Sequence, residues 1–415
     1  MRILIVLHQF YPEFTSGTER VTLNLAKAAQ RAGHHVRVLA CVVKPEASPG
    51  TACAHLAGAR ETVCEGVPVT LLPRAMLPPS ADYTLEVASE LLEPLVGWMK
   101  HERFDLAHVM HTMRMSTVVV AAQQCGLPYV LTLTDFFLAC PRINLVTLDN
   151  QFCGGPDGGK KCGKDCLVAP WNRETLVRRF ETARQILAGA SVLAVPSEFV
   201  ASRYRDSFAE CIFRVVPHGI DLLALMDDEA PTPEIDKPLT LGYVGSIIPQ
   251  KGLTILLRAL ARVNAPGLRL KVVGGFYGTD EYHTEVRVLA KADPRVSLLG
   301  HLDAKKVYSM MRNMDVLCLP SQVPETFSLA LHEAAAFGVP ALVSDLGAPA
   351  LQVAGHGGGK VVASSDVAAW AAAIEAIVAE PEQVARWQSK LPLPARVEEE
   401  AFFYDSLYRT LLHPA

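Results

Sequence analysis

Short apolar runs alternate with helical patterns in two separate parts of the chain. The first series has an apolar run at residues 2–7, a polar loop, a helical pattern at 18–32 and a second apolar run at 36–41. This order predicts a right-handed parallel unit, whose ligand site lies beyond the carboxyl end of the first strand. A second series starts at Leu239 with LTLGYVGSIIPQKGLTILLRALARV. The sequence therefore predicts two α/β domains.

The length of the chain agrees with two domains. At 415 residues it exceeds the size at which a single core usually stops growing. We expect an N-terminal domain at 1–225, which includes a cysteine-rich loop at 140–166. A C-terminal domain is expected at 226–385, and a last segment, 386–415, whose helical pattern at 397–412 crosses back to the first domain. The acidic, proline-rich residues 227–238 predict a surface connection, and 42–80 carry little periodic signal.

Charge and hydropathy limit the partners and the compartment. A net charge of −4 gives no electrostatic reason to expect nucleic acid as a partner. The first residues, MRILIVLHQF, contain an apolar run too short for a signal peptide. No window approaches the roughly 18 to 20 apolar residues of a membrane span. We therefore expect a cytoplasmic protein, at most at the inner face of a membrane, whose cysteines are reduced or metal-bound.

The stretch LPSQVPETFSLALHEAAAFGVP, residues 319–340, combines features of a binding site. A buried strand is predicted to end at Leu319, and a helix to run from 326 to 337. Glu325 stands at the entry to that helix, and Glu333 follows eight residues later. On one helix, this separation is roughly 12 Å along the axis with about 80° of rotation. The unpaired N–H groups of the first turn could hold a diphosphate between the carboxylates, although two solvated glutamates would give the same spacing.

The sequence PSQVPETFSLALHEAAAFGVPALVSDLGAP resembles the nucleotide-sugar site of the family 4 retaining glycosyltransferases, in which two glutamates are separated by seven residues. The resemblance covers nearly the whole chain. It implies a GT-B fold, with two Rossmann-like doubly wound domains that face each other across a cleft. It also implies that Glu325 contacts the donor sugar and Glu333 the ribose.

Other segments resemble further parts of that donor site. The family's Gly-Arg … Lys-Gly loop corresponds to Gly245-Ser246 and Lys251-Gly252, so the diphosphate would have Lys251 and lack the usual arginine. The resemblance implies a donor site of Gly17, Gly245, Ser246, Lys251, Gly274, His301, Glu325, Thr326, Phe327, Ser328, Leu329 and Glu333. The predicted catalytic residues are Glu325, Lys251 and Asp135.

The N-terminal domain departs from the family pattern at one functional position. Family members often have a histidine, suggested to face the donor sugar, before an aspartate. This chain has Thr134 before Asp135. His108 and His111, near the end of the preceding predicted strand, are possible substitutes for the missing histidine, although a lone histidine is more often structural.

The loop CPRINLVTLDNQFCGGPDGGKKCGKDC contains Cys140, Cys153, Cys162 and Cys166. Four cysteines in a polar, glycine-rich loop indicate a tetrahedral thiolate site for a structural zinc ion. Four free cysteines are the alternative. No Asp-x-Asp signature is present, so we expect no catalytic metal.

A helix predicted to begin near Trp171 carries Arg173, Arg178, Arg179 and Arg184. Such a helix could rest on an anionic membrane surface, which would suit a lipid-linked acceptor. Glu174 and Glu181 interrupt the basic run, however, which favours a solvated helical face.

The resemblance therefore implies a retaining hexosyltransferase that moves a sugar from a nucleotide-diphosphate donor to a glycan or lipid-linked acceptor, as in surface polysaccharide biosynthesis. One alternative is another enzyme on the same scaffold, a sugar-nucleotide epimerase or a phosphorylase. The other is a non-catalytic, zinc-bearing binding protein, which the substitutions at Thr134 and Ser246 would suit.

Overall fold

The computed structural model describes residues 1–44, 49–149, 151–167, 171–222 and 238–413. The chain forms two compact units. The first comprises Met1–Gly219 together with Val397–Ala415, and the second comprises Ile220–Arg396. The expected domain boundary after residue 225 and the expected connection at 227–238, except for its last residue Pro238, lie outside the described residues.

The first unit is built on a nine-stranded sheet. Its strands are β1 (Arg2–Leu7), β2 (His35–Val42), β3 (Thr51–Ala52), β4 (Arg60–Cys64), β5 (Val67–Pro73), β6 (Leu106–Val109), β7 (Tyr129–Thr132), β8 (Val192–Val195) and β9 (Phe213–Val215). Their spatial order is β3-β4-β5-β2-β1-β6-β7-β8-β9. All neighbouring pairs from β5 to β9 are parallel, whereas β4 is antiparallel to both β3 and β5.

The helices of the first unit are α1 (Gly17–Arg31), α2 (Ser89–Glu102), α3 (Ser116–Gln124), α4 (Cys162–Asp165), α5 (Arg173–Gly189) and α6 (Glu198–Arg205). Apolar side chains from the parallel strands form the core with them. Trp98 of α2 and Tyr129 of β7 are among its largest buried side chains. The parallel strands confirm the predicted series. They could be predicted because strands buried in a parallel sheet carry continuous runs of Val, Leu and Ile.

The last described helix, Val397–Leu412, also belongs to the first unit. Its Glu400 carboxylate accepts a hydrogen bond from the Gly219 N–H at 2.8 Å and lies 3.1 Å from His218 Nδ1. Its Tyr404 hydroxyl lies 2.9 Å from Thr132 Oγ1 on β7. Buried polar groups must be paired to be tolerated, so these contacts fix this helix in one position.

The second unit contains a fully parallel six-stranded sheet. Its strands are β10 (Thr240–Val244), β11 (Arg269–Val273), β12 (Val296–Gly300), β13 (Val316–Leu319), β14 (Ala341–Ser344) and β15 (Gly359–Val362). Its helices are α7 (Leu253–Leu260), α8 (Asp280–Ala292), α9 (Ala304–Arg312), α10 (Leu329–Ala336), α11 (Gly347–His356), α12 (Val367–Ala379) and α13 (Glu382–Gln388); the helix at Val397–Leu412 is α14.

The strand order of this second sheet is β12-β11-β10-β13-β14-β15. This is the doubly wound order, in which β11 and β12 are added on one side of β10 and the strand order then reverses, so that β13, β14 and β15 lie on its other side. Ligands bind such sheets at that reversal, beyond the carboxyl ends of the two strands. The loops that follow β10 and β13 are therefore where a ligand site is expected.

Candidate functional site

The loop after β13 carries Glu325, and its geometry differs from the prediction. The predicted helix start at residue 326 was wrong, because α10 begins at Leu329. Glu325 therefore lies in the loop, and the 12 Å spacing calculated for two glutamates on one helix does not apply. The cause is Ser328, whose φ of 71° and ψ of 90° interrupt the helical backbone immediately before Leu329. A non-glycine residue in this region costs on the order of 1–3 kcal/mol.

The backbone of Glu325 is held by Gly347, the first residue of α11. The two residues form an isolated parallel bridge, and the Ala348 N–H donates to the Glu325 carbonyl at 2.8 Å. Gly347 has a φ of 77°, and a Cβ there would lie 2.4 Å from both the backbone nitrogen and oxygen of Glu325. Only glycine permits this approach, so the position of Glu325 depends on a residue 22 positions later.

The carboxylate of Glu325 has several partners. Lys251 Nζ lies 3.0 Å from Glu325 Oε1, and the hydroxyl group of Ser321 donates to the same carboxylate oxygen. The Glu325 side chain is 10% exposed. Burial alone would raise the pKa of this carboxyl, but the Lys251 ammonium and the donated hydrogen bonds outweigh burial and lower it. Glu325 is therefore a charged, oriented carboxylate.

Lys251 ends a short 3-10 turn, Pro249–Lys251, that follows β10. The next residue, Gly252, has a φ of 66°, and a Cβ there would lie 1.9 Å from the Pro320 carbonyl oxygen. The loop after β10 and the loop after β13 therefore approach closely, which brings the Lys251 ammonium to Glu325. The predicted pair of residues is thus adjacent in the folded unit.

Gly245 and Ser246 form the start of the same loop. A Cβ on Gly274 would lie 1.8 Å from the Gly245 carbonyl, so glycine is needed where the ends of β10 and β11 meet. The Ser246 carbonyl accepts a hydrogen bond from the Tyr243 hydroxyl at 2.8 Å. Tyr243, which the sequence did not single out, thereby fixes the loop at the position of the absent arginine.

The remaining predicted donor residues of the second unit have different environments. Phe327 is buried, and its ring stacks on that of His332 with centroids 3.9 Å apart and 2° between the planes. Glu333 is also buried, and it accepts a hydrogen bond from the Tyr308 hydroxyl at 3.3 Å. Thr326 is half-buried, whereas His301 is exposed just beyond β12.

Leu329 opens α10, and no side-chain cap is found at this N-terminus among the described residues. By contrast, Asp303 and Asp366 cap α9 and α12 with their carboxylates. The first N–H groups of a helix have no intrahelical acceptor, and together with the helix dipole they favour an anion. The start of α10, directly after Ser328, is thus suited to bind a phosphate.

A second group of polar residues lies in the first unit, at the carboxyl ends of the adjacent strands β1, β6 and β7. His111 Nε2 is 2.6 Å from Asp135 Oδ2, and the Met113 N–H donates to His111 Nδ1 at 3.1 Å. Neutral His111 therefore carries its proton on Nε2 and donates it to Asp135. Asp135 Oδ1 accepts from the Phe137 N–H at 2.8 Å, so both side chains are oriented.

His8 and Glu19 extend this group, and the sequence prediction missed both. The His8 ring lies 3.9 Å from that of His111, and its Nε2 is 4.0 Å from the buried Glu19 carboxylate. Burial lowers the pKa of His8 well below its ordinary value, as do the nearby His111 and Arg114, so the ring is neutral. The position of His8 directly after β1 was a signal that could have identified it.

His108 was proposed as a substitute for the missing histidine, and the structure does not place it at a site. It is fully buried, and its two ring nitrogens lie 2.6 Å from the Tyr408 hydroxyl and 2.7 Å from Thr132 Oγ1. Burial lowers its pKa to about 3. Thr134 donates its hydroxyl proton to the Met110 carbonyl at 3.2 Å. His111 therefore remains the candidate, while Gly17 is exposed at the start of α1.

The four cysteines of the predicted zinc site are buried and line one small cavity, together with Lys161 and Asp165. Burial raises the pKa of Cys140 and of Cys166, and raises that of Cys162 to about 12. The thiols suit zinc by donor type. As positioned, however, no group of three or more His, Cys, Asp or Glu side chains in the described residues could hold a metal ion. The structural zinc stays a prediction.

Replacing Cys162 and Cys166 with serine is expected to abolish binding of one zinc ion per chain, because four thiolates would otherwise hold it. The loop between Cys140 and Trp171 should also become sensitive to protease, since metal binding would supply its ordering energy. Elemental analysis and limited proteolysis measure both effects, and Cys64→Ser is the matched control. Wild-type protein without metal, with four titratable thiols in the folded state, would contradict the prediction.

The arginines of α5 have local partners. Arg178 pairs with Glu174 at 2.7 Å, and Arg184 pairs with Glu181 at 3.0 Å. Arg179 is buried, and it donates to backbone carbonyls that include those of Tyr83 and Leu138. Arg178 and Arg184 are thus paired with carboxylates at the surface, and Arg179 is buried. Within the described part of the chain, we find no helix long and apolar enough to cross a membrane.

Two family models match the chain. The model described as glycosyl transferase 4-like domain matches residues 16–219, and the model described as glycosyl transferases group 1 matches residues 227–391. The two matches adjoin near the boundary between the two structural units.

Curated proteins with related sequences are also found. D-inositol 3-phosphate glycosyltransferase of Rhodococcus erythropolis is 32% identical over 162 residues, which is 37% of this chain and 36% of that protein. Glycogen synthase of Mycobacterium tuberculosis is 26% identical over 402 residues, 92% of this chain and 87% of that protein. The match to the first curated relatives spans little more than a third of their length.

Among solved structures, Anabaena Alr3699/HepE in complex with UDP and glucose superposes with a TM-score of 0.71 at 16% identity. The superposition covers 99% of this chain and 100% of that one. At this identity the likeness shows the fold alone, which is GT-B.

Proposed function

Since the N-terminal half of this chain belongs to the glycosyl transferase 4-like domains and the C-terminal half to the group 1 glycosyl transferases, we propose that it transfers a sugar from a nucleotide-diphosphate sugar to an acceptor hydroxyl, with retention at the anomeric carbon. The observation that carries the proposal is the Lys251–Glu325 pair beside the uncapped start of α10. A cation and free backbone N–H groups there suit a diphosphate, and an oriented carboxylate beside them suits a sugar.

The donor would be bound by the second unit. The start of α10 and the Lys251 ammonium would hold the diphosphate, and Glu325 would accept hydrogen bonds from sugar hydroxyls. Glu333, on the buried side of α10, would bind the ribose after Tyr308 releases it. The related fold of Alr3699/HepE was solved with UDP and glucose, which makes UDP-glucose the first donor to test.

During transfer, the bond from the anomeric carbon to the diphosphate oxygen would break. The acceptor oxygen would bond to the same face of the sugar, and its proton would leave with the diphosphate. The ammonium and the helix N–H groups stabilise the charge that develops on the leaving group, which is the usual role of fixed donors in an active site. This arrangement needs no catalytic metal ion.

The acceptor would be a glycan or a lipid-linked saccharide bound by the first unit. Asp135 is the candidate contact, because its side chain is 28% exposed while His111, which orients it, is 4% exposed. His111 would thereby take the place of the absent histidine at residue 134. Action in polysaccharide biosynthesis, cytoplasmic location and contact with a membrane surface stay predictions.

Thermal stabilisation by UDP-, GDP-, ADP- and TDP-sugars tests the donor assignment, followed by transfer from the labelled donor that stabilises most. A ligand at a hundred times its Kd stabilises the folded protein by about 2.7 kcal/mol. Asp135→Asn should retain this stabilisation but lose transfer to acceptor. A protein that binds a nucleotide sugar and converts it only to its epimer, or leaves it unchanged with every acceptor class, would contradict the proposal and favour an epimerase or a binding protein.

A further inference from the structure

Of the four arginines on α5, Arg179 alone is buried, with 4% of its surface exposed. Arg178 and Arg184 pair with glutamates, whereas no ion pair of Arg179 is found within the described residues. A guanidinium keeps its charge when it is buried, and burying a charge without a carboxylate partner is costly. An apolar side chain of similar size would avoid this cost. The charge at this position therefore requires a specific reason.

All three nitrogen atoms of the Arg179 guanidinium donate to backbone carbonyls. Nη2 donates to the carbonyl of Phe137, Nη1 donates to that of Leu138 at 3.2 Å, and Nε donates to that of Tyr83 at 2.8 Å. Two of these three acceptors belong to the turn that follows Asp135. Arginine has a planar, rigid set of donors that can bind several carbonyls at once, whereas lysine has one compact ammonium. Arg179 therefore attaches this turn to α5.

Phe137 connects Arg179 with both members of the His111–Asp135 pair. Its N–H donates to Asp135 Oδ1 at 2.8 Å, and the centroid of its ring lies 5.7 Å from that of His111. The guanidinium carbon of Arg179 lies over the same Phe137 ring, 4.7 Å from the centroid. The Tyr204 hydroxyl holds the turn from its other end, since it donates to the Asp135 carbonyl at 2.9 Å. Arg179 thus contacts the backbone and the ring of a residue that touches both Asp135 and His111.

We propose that Arg179 is a positioning residue, which through Phe137 holds the Asp135 carboxylate and the His111 ring in the arrangement that meets an acceptor hydroxyl. Arg179 itself is too deeply buried to touch the acceptor. It acts from α5, a helix of 17 residues whose buried side chains belong to the core of the first unit and supply a rigid base. The consequence for transfer rests on the proposed function, whereas the effect on the His111–Asp135 pair does not.

Replacing Arg179 with methionine removes the charge and the donors while keeping a long side chain. The kcat/KM for the acceptor should fall by about 10- to 100-fold, because a displacement of about 1 Å at a reacting group can cost on the order of 10²-fold. The KM for the nucleotide sugar should stay unchanged, since the proposed donor site lies in the second unit. Arg179→Lys, which keeps the charge without the set of donors, should give an intermediate kcat/KM. Arg178→Met changes the adjacent exposed arginine and should leave both constants at their wild-type values.

The proton on His111 Nε2 reports on this arrangement without any substrate, because His111 donates it to Asp135 at 2.6 Å. In protein labelled with ¹⁵N-histidine, a proton–nitrogen NMR spectrum recorded well below the Tm detects buried imidazole N–H groups, and His111→Asn identifies the signal. Arg179→Met should shift this signal or remove it through faster exchange with water. The signal of His283, whose Nε2 donates to a backbone carbonyl of the second unit at 2.9 Å, should stay constant.

Either of two results would overturn the proposal. One is a folded Arg179→Met protein whose His111 signal matches that of the wild type, and the other is a kcat/KM for the acceptor that Arg179→Met shares with Arg178→Met. If Arg179→Met does not fold, Phe137→Leu takes its place, because it removes the ring that Arg179 and His111 both contact. An unchanged His111 signal in that variant would count equally against the proposal. A shifted signal in a protein that transfers no sugar would contradict the proposed function alone.

Discussion

Replacing Lys251 with alanine is expected to lower the rate of sugar transfer by about 10²- to 10³-fold, the loss that follows removal of one fixed donor from a developing negative charge. The ammonium lies 3.0 Å from Glu325, in a loop where the family's second cation is replaced by Ser246. No arginine at that position can compensate for its loss. Steady-state kinetics with the active donor measure the effect, which should fall on kcat more than on KM.

The control for this substitution comes from the same loop. Ser246→Arg restores the family residue and should recover part of the activity of Lys251→Ala. Lys271→Ala, on β11 of the same unit, removes a lysine outside the site and should leave kcat unchanged. Wild-type turnover in Lys251→Ala would show that the diphosphate is held elsewhere.

Glu325→Gln is expected to abolish most transfer while the protein stays folded. The backbone at residue 325 is fixed by Gly347 and by the Ala348 N–H, neither of which depends on the side-chain charge. Glutamine keeps the shape but lacks the carboxylate that would accept sugar hydroxyls and pair with Lys251. We expect a decrease in kcat on the order of 10²-fold, with nucleotide binding retained, as isothermal titration with UDP would show. Unchanged kinetics would mean that this carboxylate does not contact the donor.

The same substitution should change how stability depends on pH. The pKa of Glu325 is lower in the folded protein than its ordinary value of 4.5. Its contribution to stability is therefore complete above pH 4.5 and is lost as the pH falls through the lower folded-state pKa. Urea unfolding at several pH values between 3 and 7 should show a smaller loss of stability on acidification in Glu325→Gln than in the wild type.

Much of the architecture is encoded in local patterns that can be recognised in the sequence. The apolar run at 2–7 and the helical pattern at 397–412 correspond to β1 and α14, because continuous burial and helical periodicity are properties of single segments. The antiparallel strands β3 and β4 were missed, since β3 has only two residues and is exposed, β4 is only partly buried, and neither has such a pattern.

The site itself was predictable only in part. Its residue types were recognisable in the sequence, and Lys251 and Glu325 do meet. The start of α10 was misplaced because a single positive φ at Ser328 overrides a favourable helical pattern. His108 was a poor candidate for a different reason: its partner Tyr408 is 300 residues away, and no local pattern indicates that α14 covers it.

The route of the chain through its two units has a consequence for biosynthesis. A ribosome completes residues 1–219 first, yet α14, whose Tyr408 and Glu400 pair with His108 and His218, is translated only after the entire second unit. Until then His108 lacks its contact with Tyr408 and His218 its contact with Glu400, and the first unit lacks one of its helices. The first unit therefore cannot complete its folding during translation before the second unit has been synthesised. A fully folded first unit is found only in chains whose second unit has already been made.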